Sequence, residues 1–397
     1  MPQLHVALLT GGQDRHYAVG LGTALMQQGV TLDVIGGDDI DGPEFRGNSR
    51  VQFRNLHGSL HGESLARRIG GILCFYARIC RYALTAKPRI FHILWDNKLQ
   101  LFDRTLLVSL YKLAGRKVVF TAHNVNAGRR DQKDSWLNRI TLKCEYKIVD
   151  HLFVHTQKMK DELIKQFNVR PKKISVIPYG INNAVPFTEL TREQARQQLG
   201  LQDHEKVILH FGAIKVYKGL EYLVAAFQQI AADGDYRLII AGERKKGYED
   251  YWQSIQQMIE RGPGREKISL AIKFIPDSET EIYFKAADVA VLPYTEIFQS
   301  GILFMAYAYG LPVIATDVGS FSEDIVEGRT GYTCTPRDAD DIARTIQRYF
   351  ASDLYNELGQ RRKEIRDFAY SSHSWEVVAE LTRSVYSELL EGKSVEA

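Results

Sequence analysis

Short apolar runs, largely of β-branched and aliphatic residues, recur along the chain, each closed by a polar or Gly/Pro-containing turn. Longer stretches with helical apolar spacing lie between them. That alternation predicts parallel strands joined by helices, an α/β architecture of doubly wound, Rossmann-like sheets. The stretch from Asp288 to Gly319 shows it most fully, with a strand over Val289–Leu292, a polar loop and a helix of small residues. A break at Gly310 and Pro312 and a strand over Val313–Thr316 complete it. In an open α/β sheet such a loop meets ligands, and the free amides of a helix start suit phosphate or sugar oxygens. Tyr294, Glu296, Gln299, Ser300 and Gly301 share this loop, and Ser300-Gly301 lets the backbone approach a ligand closely.

The same pattern places other chemistry at strand ends. Strand His5–Leu9 runs through Thr10-Gly11-Gly12 into a helix, a phosphate-approach turn. Strand Ile90–Leu94 runs into Trp95, and strand Lys117–Thr121 ends in Ala122-His123-Asn124, where a parallel strand presents residues to substrate. The following Gly128-Arg129-Arg130-Asp131 reads as a basic, mobile loop on the acceptor side. Strands are also predicted over His151–His155 and Ile174–Ile177. Strand Val207–Phe211 leads to Lys215 and Lys218, which flank a turn opening a helix and suit a diphosphate. Strand Arg237–Ala241 ends in Gly242, and strand Leu270–Ile275 ends in Pro276. The predicted domains are 1–183, a polar linker 184–205, 206–371, and an amphipathic C-terminal helix within 372–397.

Over residues 64–84, Arg67, Arg78 and Arg81 share one side of a helix, while Leu65, Ile69, Ile72, Tyr76, Ile79 and Ala83 take the other. A solvated surface helix has this pattern, and so does a helix lying on a membrane surface. Charge bears on the choice. The net charge of +3 divides unevenly, with 27 Lys and Arg against 15 Asp and Glu over residues 1–185 and 24 against 33 over the rest. A basic first half suits an anionic partner: a membrane surface, a diphosphate-linked acceptor or nucleic acid. Length, at 397 residues with 45% hydrophobic and 25% charged, allows two full cores. No apolar run approaches the roughly 18–20 residues of a spanning helix. The opening MPQLHVALLTGG reads as a strand rather than a signal peptide. Cys74, Cys80, Cys144 and Cys334 fall in no metal-like spacing, which fits reduced thiols in a cytoplasm.

The tail Gly310-Leu311-Pro312-Val313-Ile314-Ala315-Thr316 resembles the donor-binding segment of retaining, nucleotide-sugar-dependent glycosyltransferases of family four, which have the GT-B fold. Members usually carry two glutamates ahead of that tail. Here Ile297 and Met305 occupy those positions and Glu296 sits one residue early, so the chain is similar to a sub-group with Gln-Ser-Gly (Gln299, Ser300, Gly301) in the loop. The resemblance implies two Rossmann-like domains facing across a cleft, with the C-terminal helix crossing back to the first. His123, Lys218 and Glu296 are the implied catalytic residues, His123 orienting the donor sugar. Gly12, Lys215, Lys218, Gly242, Pro276, Gln299, Ser300 and Gly301 are implied on the donor side, with Lys215 standing in for the family's usual arginine. Arg67, Arg78, Arg81, Trp95, Asn124, Arg129 and Arg130 are expected on the acceptor or membrane side. No Asp-x-Asp stands where a metal would be held, so no metal or other cofactor is expected. The implied activity is retaining transfer of a sugar from UDP or GDP to a saccharide or lipid-linked acceptor in polysaccharide, lipopolysaccharide or glycolipid synthesis. It would take place in the cytoplasm or peripherally on an anionic inner membrane face, with no nucleic acid involved. A sugar-nucleotide epimerase of the same fold, or a catalytically weak partner subunit lacking both glutamates, are the alternatives. A two-Rossmann dehydrogenase fits less well, because the first turn lacks three spaced glycines.

Overall fold

A computed structural model describes residues 4–12, 14–56, 65–130, 134–181 and 187–392. The chain forms two compact units: Met1–Gly180 with His373–Ala397, and Ile181–Ser372.

The first unit holds strands His5–Leu9 (β1), Thr31–Gly36 (β2), Val51–Asn55 (β3), Ile90–Ile93 (β4), Lys117–Thr121 (β5), His151–Val154 (β6) and Ile174–Val176 (β7). They pair in parallel in the order β3-β2-β1-β4-β5-β6-β7. Central strands such as β4 are buried along their whole length, which is why they read as unbroken apolar runs rather than alternating ones. The order reverses between β1 and β4, and in a doubly wound sheet ligands bind at such a switch point, beyond the strands' carboxyl ends. The C-terminal helix Trp375–Glu391 belongs to this unit's core, contributing Trp375, Val378, Ala379, Val385 and Tyr386. It packs on the helix Arg15–Gln27, where Gly20 leaves room for the Trp375 indole.

The second unit repeats the scheme with Lys206–Phe211 (β8), Tyr236–Ala241 (β9), Ile268–Ala271 (β10), Val289–Leu292 (β11), Val313–Thr316 (β12) and Gly331–Cys334 (β13). Their order is β10-β9-β8-β11-β12-β13, with the switch between β8 and β11. Residues 184–205 were expected as a linker, yet the unit begins at Ile181 and they contribute the helix Arg192–Leu199 to it. Fully buried Arg196 donates to the equally buried Asp288 at 2.8 Å and to the backbone carbonyls of Ala286, Gln202, Asp203 and Glu205. Asp288 also accepts from the Val207 amide at 2.8 Å. This buried pair ties the helix to the start of β8, and its polar composition hid that role.

Three further expectations are corrected. The strand predicted over Leu270–Ile275 runs over Ile268–Ala271, because β10 is an edge strand whose pairing with β9 ends at Ala271. The Arg129 loop is a short helical turn, Ala127–Arg130, in which Asn126 accepts from the Arg129 amide at 3.2 Å and the Arg129 guanidinium pairs with Glu162 at 3.1 Å. Asp131 and the Arg130 side chain lie outside the described residues. On the helix Leu65–Thr85, Tyr76, Ile79 and Ala83 are buried as expected, but Ile69 is 51% exposed and Leu73 and Leu84 stand on the outer side with the arginines.

Candidate functional site

Each unit gathers polar groups at the carboxyl ends of its central strands. In the second unit the turn after β8 folds against two others. Gly219 has φ +63°, and a Cβ there would lie 2.1 Å from the Pro293 carbonyl oxygen. The Thr295 amide donates to the Tyr217 carbonyl at 2.8 Å, so the lysine turn and the loop after β11 are held together. Gly242, after β9, has φ +147°, and a Cβ would meet the Gly212 carbonyl oxygen at 2.1 Å. Gly212 in turn lies against the Lys218 ammonium and the Ile302 side chain. Three turns therefore converge, and only glycine fits where their backbones touch.

Lys218 is 7% exposed, with its Nζ 5.0 Å from the centre of the Tyr294 ring. Lys215 is half-buried, with its Nζ 5.7 Å from the Tyr217 ring. Beneath them the buried His210 donates Nδ1–H to the Val291 carbonyl at 3.3 Å, and burial above all, then the Lys218 charge, lowers it to about 3. His210 therefore adds no positive charge here. Ser300 is buried and precedes the helix Gly301–Ala308, whose first amides have no partner within the helix. Glu296 is half-buried on the loop before it, while Ile297, at the first family glutamate position, is buried and Met305 half-buried. The Gln299 amide donates to Asp324 at 3.0 Å, and its Oε1 is buried without a hydrogen-bond partner among the described residues. Asp324 also accepts from Ser320 at 2.7 Å, and burial pushes its carboxyl up to about 7. Pro276 is half-buried at the start of the helix Asp277–Ala286, beyond the edge of this group.

In the first unit, the Gly11-Gly12 turn presses on the Trp95 backbone. Trp95 stacks on His123 with ring centres 4.1 Å apart and planes within 8°. Tyr17 meets the same imidazole edge-on at 4.5 Å. Asn124 follows on the strand end, half-buried. Hydrogen bonds set the imidazole's tautomer. His155 Nδ1 lies 3.2 Å from the Ile177 carbonyl, which can only accept, so this nitrogen carries the proton. His155 Nε2 is then an acceptor, and it lies 3.0 Å from His123 Nδ1, which must donate to it. His123 Nε2 is left as a lone pair, buried and without a partner among the described residues. Burial holds both rings neutral, lowering His123 well below 6.5 and His155 to about 4. The chain Ile177–His155–His123 thus ends in one hydrogen-bond acceptor.

The structure therefore brings Gly12, Trp95, His123 and Asn124 together in one unit and Lys215, Lys218, Gly242, Glu296, Gln299, Ser300 and Gly301 in the other. Arg67, Arg78 and Arg81 lie apart on an exposed helix face. His155, Gly212 and Asp324 were not singled out from sequence. The signal for His155 was present: β5 and β6 are neighbours paired Thr121 to Phe153, so two strands that each run out into histidine set those histidines side by side.

Residues 10–185 match the family model described as Glycosyltransferase Family 4, and residues 205–352 match that of Glycosyl transferases group 1. The D-inositol 3-phosphate glycosyltransferase of Corynebacterium diphtheriae is 29% identical over 293 residues, which cover 68% of this chain and 65% of that protein. Among solved structures, sucrose-phosphate synthase from Thermosynechococcus elongatus superposes with a TM-score of 0.78 at 20% identity, covering 99% of this chain and 100% of that one. HepE of Anabaena, solved in complex with UDP and glucose, superposes at 0.74 and 18% identity, covering 97% and 100%. At these identities the superpositions establish the GT-B fold.

Proposed function

We propose that this chain, two glycosyltransferase-family domains in a GT-B fold, moves a sugar from a UDP- or GDP-linked donor, with retention, to a saccharide or lipid-linked saccharide acceptor. The observation that carries the reading is the convergence of Lys218, Gly212, Gly242 and the start of the Gly301–Ala308 helix at one place in the second unit. A buried lysine and free helix amides stabilise negative charge where little water competes. The UDP and glucose in HepE favour the same class of donor.

In this mechanism the acceptor hydroxyl approaches the anomeric carbon on the face from which the diphosphate departs. The new C–O bond forms as the old one breaks, and the hydroxyl proton passes to the departing phosphate oxygen. Lys218, Lys215 and the amides of Gly301 and Ile302 hold the charge that builds on the diphosphate, without a metal cofactor. His123 Nε2 accepts from a donor-sugar hydroxyl, Gln299 Oε1 from a further hydroxyl, and Glu296 contacts the sugar. The acceptor is met from the first unit, at the inner face of the cell membrane. A thermal-shift screen with UDP, GDP and ADP sugars tests donor binding; stabilisation by none of them refutes the reading. Ile297 and Met305 at the glutamate positions favour a second reading, a catalytically weak partner subunit, which tight donor binding without turnover would support.

A further inference from the structure

Three exposed segments of the first unit lie side by side. Arg104 donates to Asn138 at 2.8 Å, joining residues 98–113 to the helix Trp136–Ile148. Tyr76 accepts from the Leu99 amide at 3.0 Å and donates to Asp103 at 3.1 Å, joining residues 98–113 to the helix Leu65–Thr85. Large apolar side chains stand on the outside of these segments: Leu99, Leu101, Leu106, Trp136, Leu137 and Ile140 are all exposed, Trp136 to 72% and Leu106 to 64%. Between and beside them stand Arg67, Arg78, Arg81, Lys98, Lys143 and Lys147, all exposed. Residues 65–85, 98–113 and 136–148 contain two carboxylates, Asp103 and Glu145, and these are 3% and 0% exposed. Among their described residues these three segments therefore present large apolar side chains and cations and no exposed carboxylate, and Asp134, just before the last helix, is paired with Arg139 at 2.6 Å.

We propose that this face docks on an anionic lipid bilayer, with Trp136, Ile140, Leu101 and Leu106 entering the headgroup–acyl boundary and the cations meeting lipid phosphates. A second copy of the chain would set these cations against each other, whereas an anionic bilayer complements both halves of the pattern. The proposal deepens the reading of a lipid-linked acceptor and rests on it for its purpose. Its physical basis, the exposed face, does not depend on the donor site.

Vesicles of phosphatidylcholine alone, or mixed with phosphatidylglycerol, test it with the full chain. The wild type should pellet with the anionic vesicles and release as ionic strength rises. The emission lost in Trp136→Phe should shift to the blue and become shielded from iodide, since Trp252 and Trp375 are buried and Trp95 is half-buried against His123. Trp136→Ser/Ile140→Ser should lower partitioning by at least about tenfold. Arg67→Ser/Arg78→Ser/Arg81→Ser should lower it by about two orders of magnitude. Equal pelleting of wild type and variants, no pelleting with anionic vesicles, or a wild-type dimer that Trp136→Ser/Ile140→Ser converts to monomer each overturns the proposal. Donor binding, read separately by thermal shift, shows that the variants are folded. A failure there in the wild type refutes glycosyl transfer while leaving the vesicle result to stand or fall alone.

Discussion

Replacing His155 by leucine tests whether the Ile177–His155–His123 chain controls the His123 ring. The substitution removes the acceptor 3.0 Å from His123 Nδ1 and leaves that N–H buried without a partner. An unsatisfied buried donor costs about 1–3 kcal/mol of stability. His123 can escape by moving its proton to Nε2, which converts the acceptor into a donor. The bond from the sugar hydroxyl is then lost, about 1–1.5 kcal/mol, or roughly a five- to twelvefold fall in kcat/KM. Glutamine at the same position can donate to the Ile177 carbonyl and accept from His123, so His155→Gln should recover most of the loss. The assay pairs steady-state kinetics with 15N chemical shifts of the histidine rings, which report the tautomer without turnover. Wild type should show a pyrrole-like Nδ1 and a pyridine-like Nε2 at His123, and the leucine variant the reverse. An unchanged His123 tautomer in His155→Leu, or kinetics that fall equally in the leucine and glutamine variants, refutes the reasoning.

Other outcomes follow from the same structure. Lys218→Ala should lower transfer by about 2–4 kcal/mol, and activity within about threefold of wild type would remove Lys218 from the diphosphate site. Gly219→Ala places a Cβ 2.1 Å from the Pro293 carbonyl at positive φ. It should cost about 2 kcal/mol or more in denaturant unfolding and weaken donor binding with it, and wild-type stability would show that the turns are not packed as described. Asp324 binds its proton up to about pH 7 in the fold but only below the ordinary carboxylate pKa when unfolded. Its contribution to stability is therefore full in acid and lost as pH rises through 7. Asp324→Asn, which mimics the protonated form, should gain stability relative to wild type across that rise, and parallel pH curves would contradict it. His155 has the opposite sign, because its folded pKa of about 4 lies below the unfolded value, so stability is lost as pH falls through that window.

The clustering of residues after β8, β9 and β11 was largely legible in the sequence because these residues sit at strand-to-helix turns, where local pattern fixes position. Lys218-Gly219 and Ser300-Gly301 each follow an apolar run and open a helix. What escaped depends on partners distant in sequence. His155 acquires its role through the register of β5 on β6, and the raised pKa of Asp324 comes from its burial, which outweighs the hydrogen bonds from Ser320 and Gln299. Arg196 lies in the stretch expected as a polar linker, and its buried pair with Asp288, far along the chain, ties that stretch to the second unit. The Leu65–Thr85 helix was read as two clean faces, but Ile69, Leu73 and Leu84 lie exposed, which only the packing of its neighbours decides.

Proton NMR of the reaction tests the central claim most directly. Wild-type chain would be incubated with UDP- and GDP-hexoses of α configuration and a lipid-linked saccharide acceptor. The account predicts nucleoside diphosphate release matched by a new α-anomeric signal on the acceptor, forming at least about thirtyfold more slowly in Lys218→Ala. A β-anomeric product, or conversion of the donor to its epimer without nucleoside diphosphate release, would contradict it.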